Sequence, residues 1–172
     1  MKLNIESLYN KEIRSKDFDL SENVSSFEFS GVEYKLVSPV HLSGQISKAG
    51  QNFLLKAKVE FVFLGSCNRC LADVKVPVEY NIEAYLMREE YDESEFEDVD
   101  VFEIDSSEVN LMEIIESTLC FNMPQRILCS EYCKGICSGC GVNLNTEDCK
   151  CEDSIDVDDI DPRFAKLKEL LK

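Results

Sequence analysis

The chain of 172 residues has no tryptophan and one histidine, and its uninterrupted apolar stretches, such as Phe61 to Leu64, are only strand-sized. A membrane helix needs roughly eighteen or more apolar residues in a row, so none is expected. The amino terminus, MKLNIESLYNKEIRSKDF, scatters charge and holds no apolar block, which argues against a secretory signal or transit peptide. A cytoplasmic protein with no membrane contact is the expectation. Glycine-rich phosphate loops, a Ser-His-Asp set and convergent carboxylates outside acidic runs are also lacking. The sequence therefore gives catalysis little support, and a non-enzyme is expected. His41 alternates with apolar neighbours on a predicted strand and reads as a solvent-side or hydrogen-bonded structural histidine. Neither an internal repeat nor a Pro-rich or Gly-rich linker is present.

Acid, in contrast, is abundant, and the formal net charge is -16. Arg88 to Glu108 holds eleven acids against one base, and Glu152 to Asp161 six acids against none. The rest balances at seventeen of each, because those two stretches account for -10 and -6. Such localised charge fits either solvated loops or a docking surface for a basic partner. A field this negative repels phosphate backbones, so direct RNA contact should be weak.

Period-two patterning dominates the middle of the chain. Phe53, Leu55, Ala57, Val59, Phe61 and Phe63 alternate with a second set, and Val74, Val76, Val78, Tyr80, Ile82, Ala84 and Leu86 do the same after the loop GSCNRCLAD. Val40, Leu42 and Ile46 fit a strand ending at the turn 47–52, and SFEF at 26–29 a shorter one. Pro77 removes a ladder donor, which predicts an edge position or a bulge. Asn110 followed by Glu113 predicts an N-cap with a capping box, opening an amphipathic helix over about 110–121 that Pro124 stops. Cys120 falls in it as a small buried residue. Asp161-Pro162 predicts a second helix with Phe164, Leu167, Leu170 and Leu171 on one stripe. The fold class expected is α+β: a mainly antiparallel β-sheet domain with one packed helix, then a small cysteine-rich zinc-binding segment and a C-terminal helix. Domain bounds of 1–124 and 125–172 follow, the second including an acidic linker.

Six of the nine cysteines fall in LCSEYCKGICSGCGVNLNTEDCKC, residues 128–151. Structural disulfides are rare in a reducing cytosol, and an odd count would strand one thiol. Cys137-Ser-Gly-Cys140-Gly141 has the spacing at which one tight turn gives two thiolates to a tetrahedral zinc, with glycine where the chain needs positive φ. Cys129, Cys133, Cys149 and Cys151 flank it. With one histidine in the chain, the site must be all-sulfur. The simplest set is Cys133, Cys137, Cys140 and one of Cys149 or Cys151, with Cys129 spare; a two-metal cluster is the alternative. Having no open position and no neighbouring base, the site reads as structural. Cys67-Asn-Arg-Cys70 lies in a hairpin loop, away from the helix dipole that lowers redox thiols. It stays open between a redox pair, a half-site that completes a metal site with Cys137 and Cys140, and a structural turn in which Arg69 faces a ligand.

Together, CNRCL at 67–71, NMPQRILC at 122–129, CKGICSGCGVNLN at 133–145, CKC at 149–151 and DPRFAKLKELL at 161–171 resemble the bacterial YceD family, also described as large ribosomal RNA subunit accumulation proteins. Ile127 stands where the family often has a second proline. The resemblance implies a factor for accumulation or processing of large-subunit ribosomal RNA and no established reaction. Some relatives keep the C-x-R-C pair without the downstream cluster, which implies that Cys67 and Cys70 do not need the cluster as a partner and favours two separate functional elements. The implied partner, a large-subunit ribosomal protein or a pre-ribosomal particle, agrees with the charge, since such proteins are basic. A thiol oxidoreductase or redox sensor built on Cys67 and Cys70 is the alternative function.

Overall fold

The computed structural model describes residues 1–9, 13–29, 31–88 and 99–151. Most of the acidic run between Arg88 and Val99, the linker after Cys151 and the expected C-terminal helix lie outside the described residues. Among them the protein is mostly β-sheet with one α-helix. The chain order is β1 (Lys2–Asn4), a 3-10 turn (Glu6–Tyr9), β2 (Ser15–Glu22), β3 (Ser26–Phe29), β4 (Val32–Lys35), β5 (Val40–Ala49), β6 (Asn52–Ser66), β7 (Asp73–Met87), β8 (Asp100–Glu103), β9 (Glu108–Asn110) and α1 (Leu111–Asn122).

The two alternating runs form the long hairpin β6–β7, fifteen residues a side. Its register sets Phe53 against Leu86, Leu55 against Ala84, Val59 against Tyr80 and Phe63 against Val76, so each apolar set falls on one face. β5 and then β2 extend the sheet on one side, and β8 joins β7 in parallel on the other, giving the order β2-β5-β6-β7-β8. Gly44 fills the gap in the Val40, Leu42, Ile46 pattern because a side chain there would collide with Ala57 on β6. The hairpin β3–β4 adds two edge-on ring pairs, Phe27 with Phe61 and Tyr34 with Phe63, each at 5.5 Å between centroids.

Pro77 occupies an edge, as its missing N–H requires. Its partner Val62 sends its own N–H to Ser38 and its carbonyl to Val37, so Val62 and Pro77 are a pair without ladder bonds between them. The proline nitrogen therefore faces away from β6, and β8 covers only Ala84–Met87 there.

Helix α1 buries Leu111, Ile114, Ile115, Thr118 and Leu119 against the sheet. Tyr80 donates its hydroxyl to the Ile115 carbonyl at 3.2 Å, and Thr118 bonds back to Ile114 at 2.9 Å. The expected capping box is absent: Asn110 is the N-cap but makes no side-chain cap bond. Asn110 is instead the last residue of β9, paired with Lys2, and the next N–H, of Leu111, donates to the Met1 carbonyl at 2.9 Å. Strand pairing thus satisfies the N–H of Leu111, the first of the open N–H groups at the start of the helix. Cys120 is half-buried rather than buried, with its thiol toward the Ser117 carbonyl.

Candidate metal centre

The tip of the long hairpin, Cys67 to Ala72, and the stretch after α1 meet. Asn68 clasps Ile127 twice: its N–H donates to the Ile127 carbonyl at 2.8 Å, and its Oδ1 accepts from the Ile127 N–H at 2.9 Å. Gly65 makes room for this approach, since a Cβ there would lie 2.8 Å from Ile127 Cδ1. Arg69 reaches the same strip of chain, donating through one guanidinium nitrogen to the carbonyls of Cys133 at 2.8 Å and Glu131 at 3.2 Å. Its own carbonyl accepts from the Ile136 N–H at 3.1 Å. The two residues inside C-x-x-C thus fasten the cysteine-rich segment to the sheet, and Arg69 is turned to main chain of its own protein.

This docking sorts eight cysteines into two groups, Cys67, Cys70, Cys129 and Cys133 in one and Cys137, Cys140, Cys149 and Cys151 in the other. Within each group all four sulfurs lie within 4.8 Å of one another. The set expected around Cys133, Cys137 and Cys140 is therefore divided: Cys133 and Cys129 face the hairpin pair, while both Cys149 and Cys151 face Cys137 and Cys140. Cys120 belongs to neither.

Four sulfurs at about 2.3 Å from one tetrahedral zinc stand about 3.8 Å apart. The separations are 3.8 Å for Cys67–Cys133 and 3.5 Å for Cys70–Cys129 in the first group, and 3.2 Å for Cys137–Cys149 and 3.6 Å for Cys140–Cys149 in the second. All exceed the roughly 2.05 Å of a disulfide. The donor set fits a soft divalent ion such as zinc at either place, and either tetrad could hold one.

The two C-x-x-C turns share one construction. In each, the first cysteine's N–H donates to the carbonyl five residues on, Ala72 or Val142, at 2.8 Å. The residue after the second cysteine returns its N–H to the first cysteine's carbonyl at 2.9 Å. The residue two past the first cysteine aims its N–H at that sulfur, Arg69 at Cys67 over 3.5 Å and Gly139 at Cys137 over 3.4 Å. Both turns close with positive φ, at Leu71 (60°) and Gly141 (76°). The glycine signal was legible at Gly141. Leucine in the same conformation hid the first turn's kinship to the second.

The thiols are tuned as metal ligands are. Burial pushes Cys67 up, but main-chain N–H groups, led by Arg69, outweigh it and lower the thiol to about 6. The N–H of Cys140, the neighbouring Cys149 thiol and the N–H of Gly139 lower Cys137 to about 6 as well. Crowding by Cys133 and Cys70 raises Cys129 to about 12, and Cys140 and Cys149 do the same to Cys151. Adjacent thiols cannot all ionise alone, and a divalent cation removes that conflict. Turn N–H groups thus replace the helix dipole whose absence from the hairpin loop argued against a lowered thiol. Cys67 is nonetheless 0% exposed, so no disulfide substrate reaches it.

Asn145 was missed by sequence reasoning. Its amide donates to the Cys133 sulfur at 3.3 Å while its carbonyl oxygen accepts from the Lys134 N–H at 2.8 Å. The second asparagine of GVNLN therefore supports the first tetrad, a link that spacing alone does not reveal.

Searches among curated proteins and solved structures return no match. A family model described as "Large ribosomal RNA subunit accumulation protein YceD" matches residues 55–171, which takes in most of β6 and both cysteine turns. With well over half of its length matched, the chain belongs to the YceD family of large ribosomal RNA subunit accumulation proteins.

Proposed function

We propose that this protein is a non-enzymatic factor supporting large-subunit ribosomal RNA accumulation and ribosome assembly in the cytoplasm. It does so by binding a basic large-subunit ribosomal protein or a pre-ribosomal particle, with structural zinc in the cysteine-rich segment. The observation that carries the reading is the family match across residues 55–171. Charge supports the choice of partner. The acid is concentrated in two stretches of net -10 and -6 on a body that balances to zero, an arrangement suited to holding a basic surface. Direct RNA contact is the weaker route, because Arg69 is committed to the carbonyls of Glu131 and Cys133. A division into a β-rich part, 1–124, and a cysteine-rich part, 125–172, accompanies this reading, with the first tetrad bridging the two.

The thiol oxidoreductase reading is not favoured, since the hairpin cysteines lie buried against Cys133 and beside Cys129. Depletion of the protein from its own cells tests the proposal. Mature large-subunit RNA should fall relative to small-subunit RNA and recover on re-expression of the wild type. An unchanged ratio under full depletion would contradict it.

A further inference from the structure

We propose that the two tetrads bind two metal ions of unequal rank. The inner ion, at Cys67, Cys70, Cys129 and Cys133, staples the segment to the hairpin and is required for the outer site to form. The outer ion, at Cys137, Cys140, Cys149 and Cys151, leaves without disturbing the inner one. This rests on the reading of the tetrads as zinc sites.

Burial separates the two sites first. Cys67, Cys70 and Cys133 are 0%, 6% and 4% exposed, whereas the outer tetrad has two half-buried and two exposed cysteines. A chelator approaches the outer sulfurs directly. It reaches the inner ones only past Cys129 or after the segment opens.

Dependence separates them next. The outer turn is built upon the inner site: Ile136, beside Cys137, donates its N–H to the Arg69 carbonyl, and Leu144 donates to Gly135, where a Cβ would stand 3.1 Å from that same Arg69 carbonyl. Asn145 ties the stretch after the outer turn to the Cys133 sulfur. The inner site draws its rigid half from the hairpin tip, whose strands pair independently of any cysteine. Chain topology points the same way. Inner partners are 59 and 66 residues apart, outer ones 9 and 12, so the inner ion closes the far longer loops and restricts the unfolded chain more.

The test is zinc content and release on the full chain. Wild type should carry two equivalents and lose them to excess chelator in two phases, with amides of 127–133 still protected from exchange after the first. Cys140→Ser should keep one equivalent, and Cys70→Ser should lose both. Protected β6 and β7 amides in each variant show that the sheet is intact. If a variant does not fold, the wild-type release phases decide alone. Cys70→Ser retaining a wild-type outer ion, Cys140→Ser losing both ions, single-phase release, or a wild type with one equivalent would each overturn the proposal. A wild type with no metal would instead remove the zinc reading beneath it.

Discussion

Asn68 and Ile127 hold one another by two hydrogen bonds, main chain to main chain at 2.8 Å and side chain to main chain at 2.9 Å, across 59 residues of sequence. This clasp fixes where the chain leaving α1 meets the hairpin tip. It thereby brings Cys129 and Cys133 to Cys67 and Cys70.

Replacing Asn68 by Ala removes one acceptor and leaves the Ile127 N–H to water. The expected cost is about 0.5–1.5 kcal/mol, confined to the docked segment. Amide exchange should quicken over 127–136 and stay unchanged in β6 and β7. Equal acceleration in both regions would show that the segment and the sheet open as one unit.

Leu71 has φ of 60° and is 67% exposed, so it bears a left-handed conformation with little packing in return. Leu71→Gly should raise stability to denaturant by about 1 kcal/mol. Gly141 holds the matching place in the outer turn, with nothing within 4 Å of where a Cβ would stand, so Gly141→Ala should cost about the same for conformational reasons alone. Opposite signs at matched positions are the expected result. A destabilised Leu71→Gly would mean that its side chain packs in a way its exposure hides.

His41 on β5 lies between Asp19, at 2.9 Å, and Glu60, at 3.5 Å, with Lys58 bound to Glu60 beyond. The hydrogen bond to Asp19 chiefly raises its pKa above 6.5. A raised pKa means that the folded state favours the proton. The contribution to stability is full below 6.5 and fades as pH climbs through the folded value. The stability advantage of wild type over His41→Gln should therefore shrink as pH rises from 6.5 through the raised folded value, and modestly so, because solvent screens a side chain that is 38% exposed. Denaturation midpoints measured across that range check it, and a widening gap would contradict the assignment.

How much of the structure is readable in the residues varies with the length of the local signal. Alternation over 53–64 and 74–86 predicts the hairpin, because one buried face in fifteen-residue strands leaves a long record. β1 and β9 leave none: each is three residues, and they meet across the whole domain as Lys2–Asn110 and Leu3–Val109. β2 carries only Phe18 and Leu20 among polar residues, too few for a period. For the metal centre, the thiols and the outer turn were legible from C-x-x-C-G. The partition was not, since spacing within residues 129–151 says nothing about a hairpin tip that folding brings against Cys129 and Cys133.

The proposed function joins the acidic stretches, the cysteine-rich segment and the family through one engagement, that of a basic component of the large ribosomal subunit by protein contact. Affinity capture of the full chain from native lysate, with and without ribonuclease, followed by identification of what remains, probes that engagement without an intermediary. A large-subunit ribosomal protein should stay bound after ribonuclease and be released as salt rises and the screening length falls below about 8 Å. Complete loss of all ribosomal material on ribonuclease treatment would contradict it.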